Sequence, residues 1–214
     1  MGLGEFLALG CAFIWALAVI LFRRTNNVLP PFETNLFKIA LGFVLIWPTL
    51  FLVEGFAVPG YSLLEIATVL LSGYLGIAVA DTWYLRSLHL VGASRMGIIS
   101  SLLSPFIILL SVLFLGETLS AWQVSGFALV MAGLLLVTWQ ANREQVAADD
   151  LKKGMLYGVA SIFLMAVGVV MIKEILETRS FMWTVQMRMI GGIAGMLIYV
   201  AVRGRFRLIM QRYR

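Results

Sequence analysis

The sequence predicts an all-α integral membrane protein, a helical bundle of about seven spans. The first observation is composition: 61% of the 214 residues are hydrophobic and only 13% are charged, whereas a soluble domain carries about 25% charged residues. The second is the length of the apolar runs, several of which reach the roughly 20 residues that a membrane helix needs. The third is that runs such as FVLIWPTLFLV do not alternate with polar residues.

The spans follow one another with connections of about 5–14 residues and use most of the chain, so no separate soluble domain fits. The first run is predicted to be a membrane helix and not a cleaved signal, because no basic region precedes it and Arg23-Arg24 follow it. The predicted spans are residues 3–22, 32–53, 62–84, 93–115, 121–140, 155–172 and 181–202.

The chain contains an internal repeat with a period of 150 residues. GEFLALGCAFIWALAVILFRR aligns without gaps on GMLYGVASIFLMAVGVVMIKE, and Lys38, a base inside the second span, falls on Arg188 in the seventh. Matches between apolar residues are common by chance, but a base at one depth in two apolar helices is not. Because the first unit has five spans, the second enters the membrane from the opposite face, which predicts an inverted repeat with a substrate site near the midplane.

This repeat divides the chain into three parts. The first unit covers residues 1–140 and five helices, residues 141–152 form a polar linker, and an incomplete second unit of two helices and a basic tail covers residues 153–214. We expect about three further helices to complete the second unit. A genuine seven-span protein is the alternative.

The net charge of +5 does not indicate a nucleic-acid partner, because the bases lie mostly in loops, at span ends and in the tail. That distribution is typical of orientation signals and contacts with lipid headgroups. One membrane side receives twelve bases and the other only Lys173 and Arg179, so the positive-inside rule predicts an N-terminus outside the cytoplasm. The twelve are Arg23, Arg24, Arg86, Arg95, Arg143, Lys152, Lys153, Arg203, Arg205, Arg207, Arg212 and Arg214.

The fourth span, GASRMGIISSLLSPFIILLSVLFLGE, carries small and hydroxylated residues at helical spacing, among them Ser100, Ser101 and Ser104. Pro105 lacks a backbone donor and predicts a kink. Close helix packing explains the small residues, and a role in lining a substrate cavity explains the serines and the proline together. Both interpretations stay open. Gly116 and Glu117 are predicted to form the structural turn after this span.

Asp81 is the acid in the otherwise apolar stretch IAVADTWYL. With Lys38 about six residues inside its span and Asp81 about three to four from the end of its own, a rise of about 1.5 Å per residue puts both within roughly 5–9 Å of one membrane face. Arg95 shares that side. We therefore predict that Asp81 with Lys38 or Arg95 forms a gate or substrate-contact network, with Arg188 as the symmetry counterpart of Lys38. The alternative is that Lys38 extends to the headgroups and Asp81 stays wet.

The region from AVADTWYLRSL to FALVMAGLLLV resembles the third to fifth helices of the EamA-type transporters of the drug/metabolite transporter superfamily. The resemblance lies in Ser104-Pro105, the turn Leu115-Gly116-Glu117 and the glycines of the fifth helix. It implies ten helices in two inverted halves and export or exchange of small metabolites across a bacterial inner membrane. It also implies both termini in the cytoplasm, which conflicts with the orientation that the charge count predicts, and both orientations stay open. Small multidrug-resistance relatives carry an acid in the first helix. This chain has only Cys11 and Trp15 there, so their proton-coupled drug antiport is not transferred.

These observations predict a secondary transporter of small organic metabolites that works by alternating access. A membrane scaffold or assembly subunit without its own transport is the alternative. We do not predict an enzyme, because the chain has one histidine and almost no acids inside its spans. No cofactor or metal is predicted, and the absence of a GxxxxGK[ST] loop argues against ATP as the energy source. The expected partners are a metabolite and the lipid bilayer but no nucleic acid, and a homodimer is left open.

Overall fold

The computed structural model describes residues 2–25, 28–57, 59–140 and 148–203, and every regular element in these ranges is helical. A single π-helical turn, Tyr74–Val79, lies between the third and fourth α-helices. The α-helices of the described residues are α1 Leu3–Thr25, α2 Pro31–Val53, α3 Leu63–Gly73, α4 Ala80–Ser100, α5 Leu103–Leu115, α6 Ala121–Gln140, α7 Ala148–Val170, α8 Lys173–Thr178 and α9 Phe181–Val202.

The helices confirm the predicted all-α membrane bundle. Within the described residues, five helical stretches are long and apolar enough to cross a membrane, and α5 and the first part of α6 are shorter apolar helices. The predicted second and seventh spans agree with α2 and α9 to within one residue. The longest stretch, Leu63–Ser100, has 38 residues, which exceeds the roughly 20 needed for one crossing. It therefore holds more than one span.

The chain reverses inside this stretch at Gly92. Its backbone has φ 84° and ψ 170°, a conformation open essentially to glycine alone. Ser87 and Ile99, on either side of Gly92, both lie against Gly158 of α7, although in one straight helix they would be about 18 Å apart. The third span therefore continues to Val91, and the prediction that it ends at residue 84 is wrong. No hydrophobicity change marks residue 84, so the true end depends on the glycine.

The fourth span is interrupted between α4 and α5. Ser101 and Leu102 form a turn in which their N–H groups donate to the carbonyls of Ile98 and Ile99, at 3.1 and 3.0 Å. Pro105, the third residue of α5, cannot donate to the carbonyl four residues earlier, which is that of Ser101. The interruption thus falls where a proline is expected to open the helix.

The two parts of the chain joined by the linker pack closely against each other. The most extensive contact is between α4 and α7, where the α7 sequence GMLYG places Gly154 and Gly158 against α4. A Cβ on Gly154 would lie 2.4 Å from Val91 Cγ1, and the Ser87 hydroxyl donates to the Gly154 carbonyl at 2.7 Å. Small residues four apart are a common device for close helix packing in membranes.

Helices α2 and α9, which are related by the repeat, run antiparallel. The rings of Phe32 and Tyr199 are 5.2 Å apart at one end and those of Trp47 and Trp183 are 5.9 Å apart towards the other. Between them Gln186 donates to the Phe43 carbonyl at 3.2 Å. Antiparallel packing of equivalent helices is what an inverted repeat requires.

The proposed division of the chain into units stays a prediction, with two structural facts beside it. Helices α2 and α9 begin at Pro31 and Phe181, one repeat period apart. Helix α7 begins at Ala148, so the last residues of the predicted polar linker are helical. Residues 141–147 of that linker and residues 204–214 of the basic tail lie outside the described residues.

Candidate functional site

An ion pair joins Lys38 of α2 to Asp81 of α4 through Lys38 Nζ and Asp81 Oδ2. The two side chains are 28% and 17% exposed, so most of each is removed from the surface. The ammonium group also lies 5.9 Å from the centre of the Phe22 ring, within the range at which an aromatic face attracts a cation. The pair allowed by the shared depth of these residues is thus formed.

Asp81 lies deeper than the sequence indicated. Because its helix continues to Val91, the carboxylate is ten residues from the end of the span, or about 15 Å at 1.5 Å per residue. Asp81 is therefore further from the end of its span than the roughly 5–9 Å expected from the sequence. A charge at that depth is costly, about 2.5–3.5 kcal/mol at a helix centre on insertion scales, and pairing with Lys38 offsets that cost.

The π turn Tyr74–Val79 directly precedes Asp81 and is held by Asn35 of α2. A π turn shifts the backbone hydrogen bonds by one residue and leaves carbonyls that need other donors. Asn35 Nδ2 donates to the carbonyls of Ile77 at 2.9 Å and Ala78 at 3.4 Å, and to Thr82 Oγ1 at 3.0 Å. Asn35 is fully buried. One helix thus supplies both the residue that stabilises the turn and the cation that pairs with Asp81.

Arg188 of α9 approaches the same place from the other side. Its Nη2 lies beside two glycines that touch each other: a Cβ on Gly76 of the π turn would be 3.1 Å from Nη2, and a Cβ on Gly168 of α7 would be 3.4 Å from it. The Asp81 carboxylate acts electrostatically on the guanidinium without forming an ion-pair contact with it. Arg188 Nε is buried, and the described residues give it no hydrogen-bond partner.

Lys38, Asp81 and Arg188 together form what we call the charge cluster. It contains both in-span bases that the repeat relates, and one carboxylate, which pairs with Lys38. Of the two cations predicted as alternatives, the structure shows Lys38 paired with Asp81, and it adds Arg188 to the neighbourhood.

Among the serines of the fourth span, Ser100 reaches the neighbourhood of the charge cluster, since its side chain hydrogen-bonds Tyr84, which also interacts with Asp81. The Ser100 hydroxyl donates to the Met96 carbonyl at 2.7 Å and Ser101 to the Gly97 carbonyl at 3.3 Å, both within their own helix. Ser100 is half-buried, Ser101 and Ser104 are exposed, and Pro105 is buried. This arrangement settles neither the packing nor the cavity interpretation for these residues.

Gly116 and Glu117 lie at the end of α5. Gly116 follows the helix with φ 65°, the left-handed conformation in which glycine commonly ends a helix. Glu117 pairs with Lys173 of α8, and both side chains are more than a third exposed. The predicted turn therefore also carries an ion pair between α8 and the α5–α6 connection.

A second group of polar contacts joins the two parts of the chain at the membrane side where α2 ends and α9 begins. Arg179 binds Glu65 with two hydrogen bonds, of 2.8 and 3.1 Å, and this contact raises the pKa of Arg179. The Tyr61 hydroxyl lies 2.9 Å from Thr184 Oγ1, and burial raises the pKa of Tyr61, which keeps it protonated. Glu54 accepts a hydrogen bond from the Met182 N–H at 3.1 Å. We call these three contacts the latch.

A cavity of about 320 Å³ lies between α5 and α7. Its wall is almost entirely apolar, with Leu110 and Phe114 on one side and Phe163 and Val167 on the other. Glu174 of α8 is the acid among the lining residues. The volume of the cavity lies at the lower end of the roughly 300–1,000 Å³ found for small-molecule sites. Gly168, which also belongs to α7, lies near Arg188. Helix α7 therefore separates this cavity from the charge cluster.

Sequence reasoning missed Asn35, Gly76 and Gly168. Asn35 had a usable signal, since it precedes Lys38 by three residues and so shares its helix face. The two glycines had none, because their role depends on where Arg188 reaches after the helices have packed. No group of three or more His, Cys, Asp or Glu side chains in the described ranges is placed to hold a metal ion.

Comparison with known proteins gives a clear family assignment. Residues 2–139 match the family model described as the EamA-like transporter family, which is more than half of the 214-residue chain. No curated protein gave a significant match, and neither did any solved structure. The family consists of membrane transporters, in keeping with the apolar helices. The chain belongs to the EamA-like transporter family.

Proposed function

We propose that the protein is a secondary transporter that exports or exchanges small organic metabolites by alternating access, with the charge cluster as part of its gate. The observation that carries this proposal is the ion pair of Asp81 with Lys38, from the first part of the chain, because the Asp81 carboxylate also acts electrostatically on Arg188, from the second. A carboxylate shared between two structural units is a switch, because relative motion of the units changes which cation it faces.

The latch supports the same proposal. Each of its contacts joins a residue before the linker to a residue after it, and all lie at one membrane side. The latch consists of one ion pair and two single hydrogen bonds. A net contribution of about 0.5–1.5 kcal/mol is typical for one hydrogen bond, so such a small set of contacts can open and close during a transport cycle. In alternating access, this side would open as the latch breaks and the other side closes.

Substrate binding couples to the gate through charge. A polar substrate that contacts Lys38 or Arg188 competes with Asp81 for the same cations and so weakens the link between the units. The apolar surroundings strengthen these interactions relative to water. The energy comes from an ion or substrate gradient, since the chain has no phosphate-cradling loop.

The proposal includes location and orientation. The family resemblance favours a bacterial inner membrane, and the excess of bases on one side favours placing the end of α9 in the cytoplasm. In that orientation the latch lies on the outer side. Labelling of single cysteines on intact cells, placed at Glu117 and at Arg203 in a Cys11→Ser background, tests it. Modification of the Glu117 position but not the Arg203 position is the expected result, and the reverse pattern contradicts this orientation.

Disulfide trapping of the latch tests alternating access. Cysteines at positions 65 and 179, again in a Cys11→Ser background, replace two long side chains whose ends touch. Because two cysteines are shorter than these side chains, a short bifunctional methanethiosulfonate bridges them through two disulfides. The bridged protein in proteoliposomes should lose counterflow of its substrate, found by screening a labelled metabolite panel, and reduction should restore it. The two single-cysteine variants are the controls. Transport that persists in the crosslinked protein contradicts alternating access at this side. Absence of counterflow for every panel member in the reduced protein favours the scaffold alternative.

A further inference from the structure

The charge cluster is not electrically balanced. Lys38 and Asp81 neutralise each other as an ion pair. Arg188 is influenced by the same carboxylate without an ion-pair contact to it, so the three side chains together carry two positive charges and one negative charge. Removing an uncompensated charge from water is costly. A group carrying one negative charge would restore the balance.

The packing leaves space for the Arg188 side chain where larger residues would close it. Gly76 and Gly168 lie against each other, since a Cβ on Gly168 would lie 3.2 Å from Gly76 Cα and 3.1 Å from the Ser72 carbonyl. Arg188 Nη2 lies beside this contact, and a side chain on either glycine would crowd it. A guanidinium is planar and suits two-point recognition of an oxyanion.

The hydrogen-bonding capacity of Arg188 is not used up by the protein. Its Nε is buried, and among the described residues nothing accepts a hydrogen bond from it. Buried donors without partners are rare in native proteins, and in a transporter the missing acceptor can be the cargo. Lys38 differs in this respect, since Asp81 already occupies its ammonium group.

We propose that the substrate is a small organic anion whose acidic group binds Arg188 next to Gly76 and Gly168. This inference rests on the proposed transport function and deepens it by naming the charge of the cargo. A carboxylate and a phosphate monoester share the required chemistry, and the two are separated by experiment. Arg188 is thus the substrate-contact residue.

The test compares acids with neutral molecules of the same shape. Counterflow is measured in proteoliposomes with labelled carboxylates such as lactate, with glycerol 3-phosphate, and with the neutral counterparts lactamide and glycerol. Binding of the same probes is followed independently by the shift of the thermal unfolding midpoint, read from tryptophan fluorescence. We expect transport and stabilisation by an acid but not by its neutral counterpart. A response to lactate identifies the acidic group of the substrate as a carboxylate, and a response to glycerol 3-phosphate identifies it as a phosphate.

Three variants locate the effect. Arg188→Gln should weaken binding of the acid by at least tenfold, and Arg188→Lys should weaken it less, because the charge remains while the planar fork is lost. Arg203→Gln, at the exposed end of the same helix, is the matched control and should bind as the wild type does. If Arg188→Gln does not fold, the wild-type protein still tests whether the substrate is an anion. In that case, inhibition of counterflow by acids is compared with inhibition by their amides.

Equal transport of acids and neutral molecules, or acid binding unchanged in a folded Arg188→Gln protein, would overturn the anion assignment and leave the transporter assignment intact. Transport of neutral or cationic probes alone would have the same consequence. Absence of counterflow and binding for every probe and for the wider metabolite panel would instead overturn the proposed function itself.

Discussion

A methyl group on Gly73 would lie 1.9 Å from the backbone carbonyl oxygen of Arg188. Helices α3 and α9 therefore touch backbone to backbone at the level of the charge cluster. Gly191 makes the reciprocal contact, with its Cβ position 2.2 Å from the Leu70 carbonyl oxygen. The place of the Arg188 side chain is thus fixed by a contact that admits only glycine.

The first prediction concerns this contact. Gly73→Ala should lower the thermal unfolding midpoint, because the methyl group forces α3 and α9 apart. Overpacking a tight site costs typically about 1–3 kcal/mol, and a backbone neighbour cannot move aside as a side chain would. Gly97→Ala is the control, since nothing lies within 4 Å of its Cβ position. Equal midpoints for the two variants would contradict the close approach.

The second prediction concerns Asn35 and the π turn. Asn35→Ala removes the donor to the Ile77 and Ala78 carbonyls. A buried polar group left without its partner costs about 1–3 kcal/mol. Hydrogen exchange in a peptide covering residues 74–82 should therefore accelerate, while a peptide from α6 should not change. Unaltered exchange in the first peptide would indicate that the π turn does not depend on Asn35.

The third prediction concerns the order of stability among charge-cluster variants. Asp81→Asn should be more destabilising than Lys38→Met, because it leaves two cations facing each other, whereas Arg188 still compensates Asp81 when Lys38 is lost. Breaking a buried pair costs up to about 3–5 kcal/mol, and partial exposure reduces that here. The double variant should be more stable than Asp81→Asn alone.

Thermal unfolding of the two single variants and the double variant measures this coupling. The pair Lys173–Glu117 is the control, since both members are more than a third exposed and such pairs contribute about 0–1 kcal/mol. Additive effects of Lys38→Met and Asp81→Asn would contradict the shared-carboxylate arrangement.

The fourth prediction concerns the reversal at Gly92. Its φ of 84° strains any side-chain-bearing residue, at a cost of about 1–3 kcal/mol. A Cβ there would also lie 3.2 Å from Arg23 Nη2. Gly92→Ala should therefore lower the unfolding midpoint by more than Gly97→Ala does. A midpoint equal to that of the wild type would mean that the chain does not turn at this residue.

The spans were predictable because a membrane helix is specified by the length of an apolar run, and α2 and α9 agree with their predicted limits. The Lys38–Asp81 pair was also accessible, since two opposite charges on one side of a membrane attract each other. Its depth was not. The end of the third span depends on the backbone of Gly92, and a glycine between Val91 and Ala93 has no distinctive pattern in the sequence.

Other features depend on packing alone. A π turn has no periodic signature that distinguishes Tyr74–Val79 from an ordinary helix. The inclusion of Arg188 in the charge cluster follows from two contacts, the backbone contact at Gly73 and the contact between Gly76 and Gly168. Neither contact can be recognised before the helices are packed together. The identification of Lys38 as the partner of Asp81 required the structure as well, because Lys38 and Arg95 are both predicted to lie on the same membrane side as Asp81.

The most direct test of the gate is the counterflow rate of Asp81→Asn in proteoliposomes, beside Glu117→Gln as the control that also removes a carboxylate from an ion pair. Thermal unfolding confirms that each variant is folded before its rate is compared. We predict that Asp81→Asn falls below a tenth of the wild-type rate while Glu117→Gln stays close to it. A folded Asp81→Asn protein that transports at the wild-type rate would contradict the role of the charge cluster in transport.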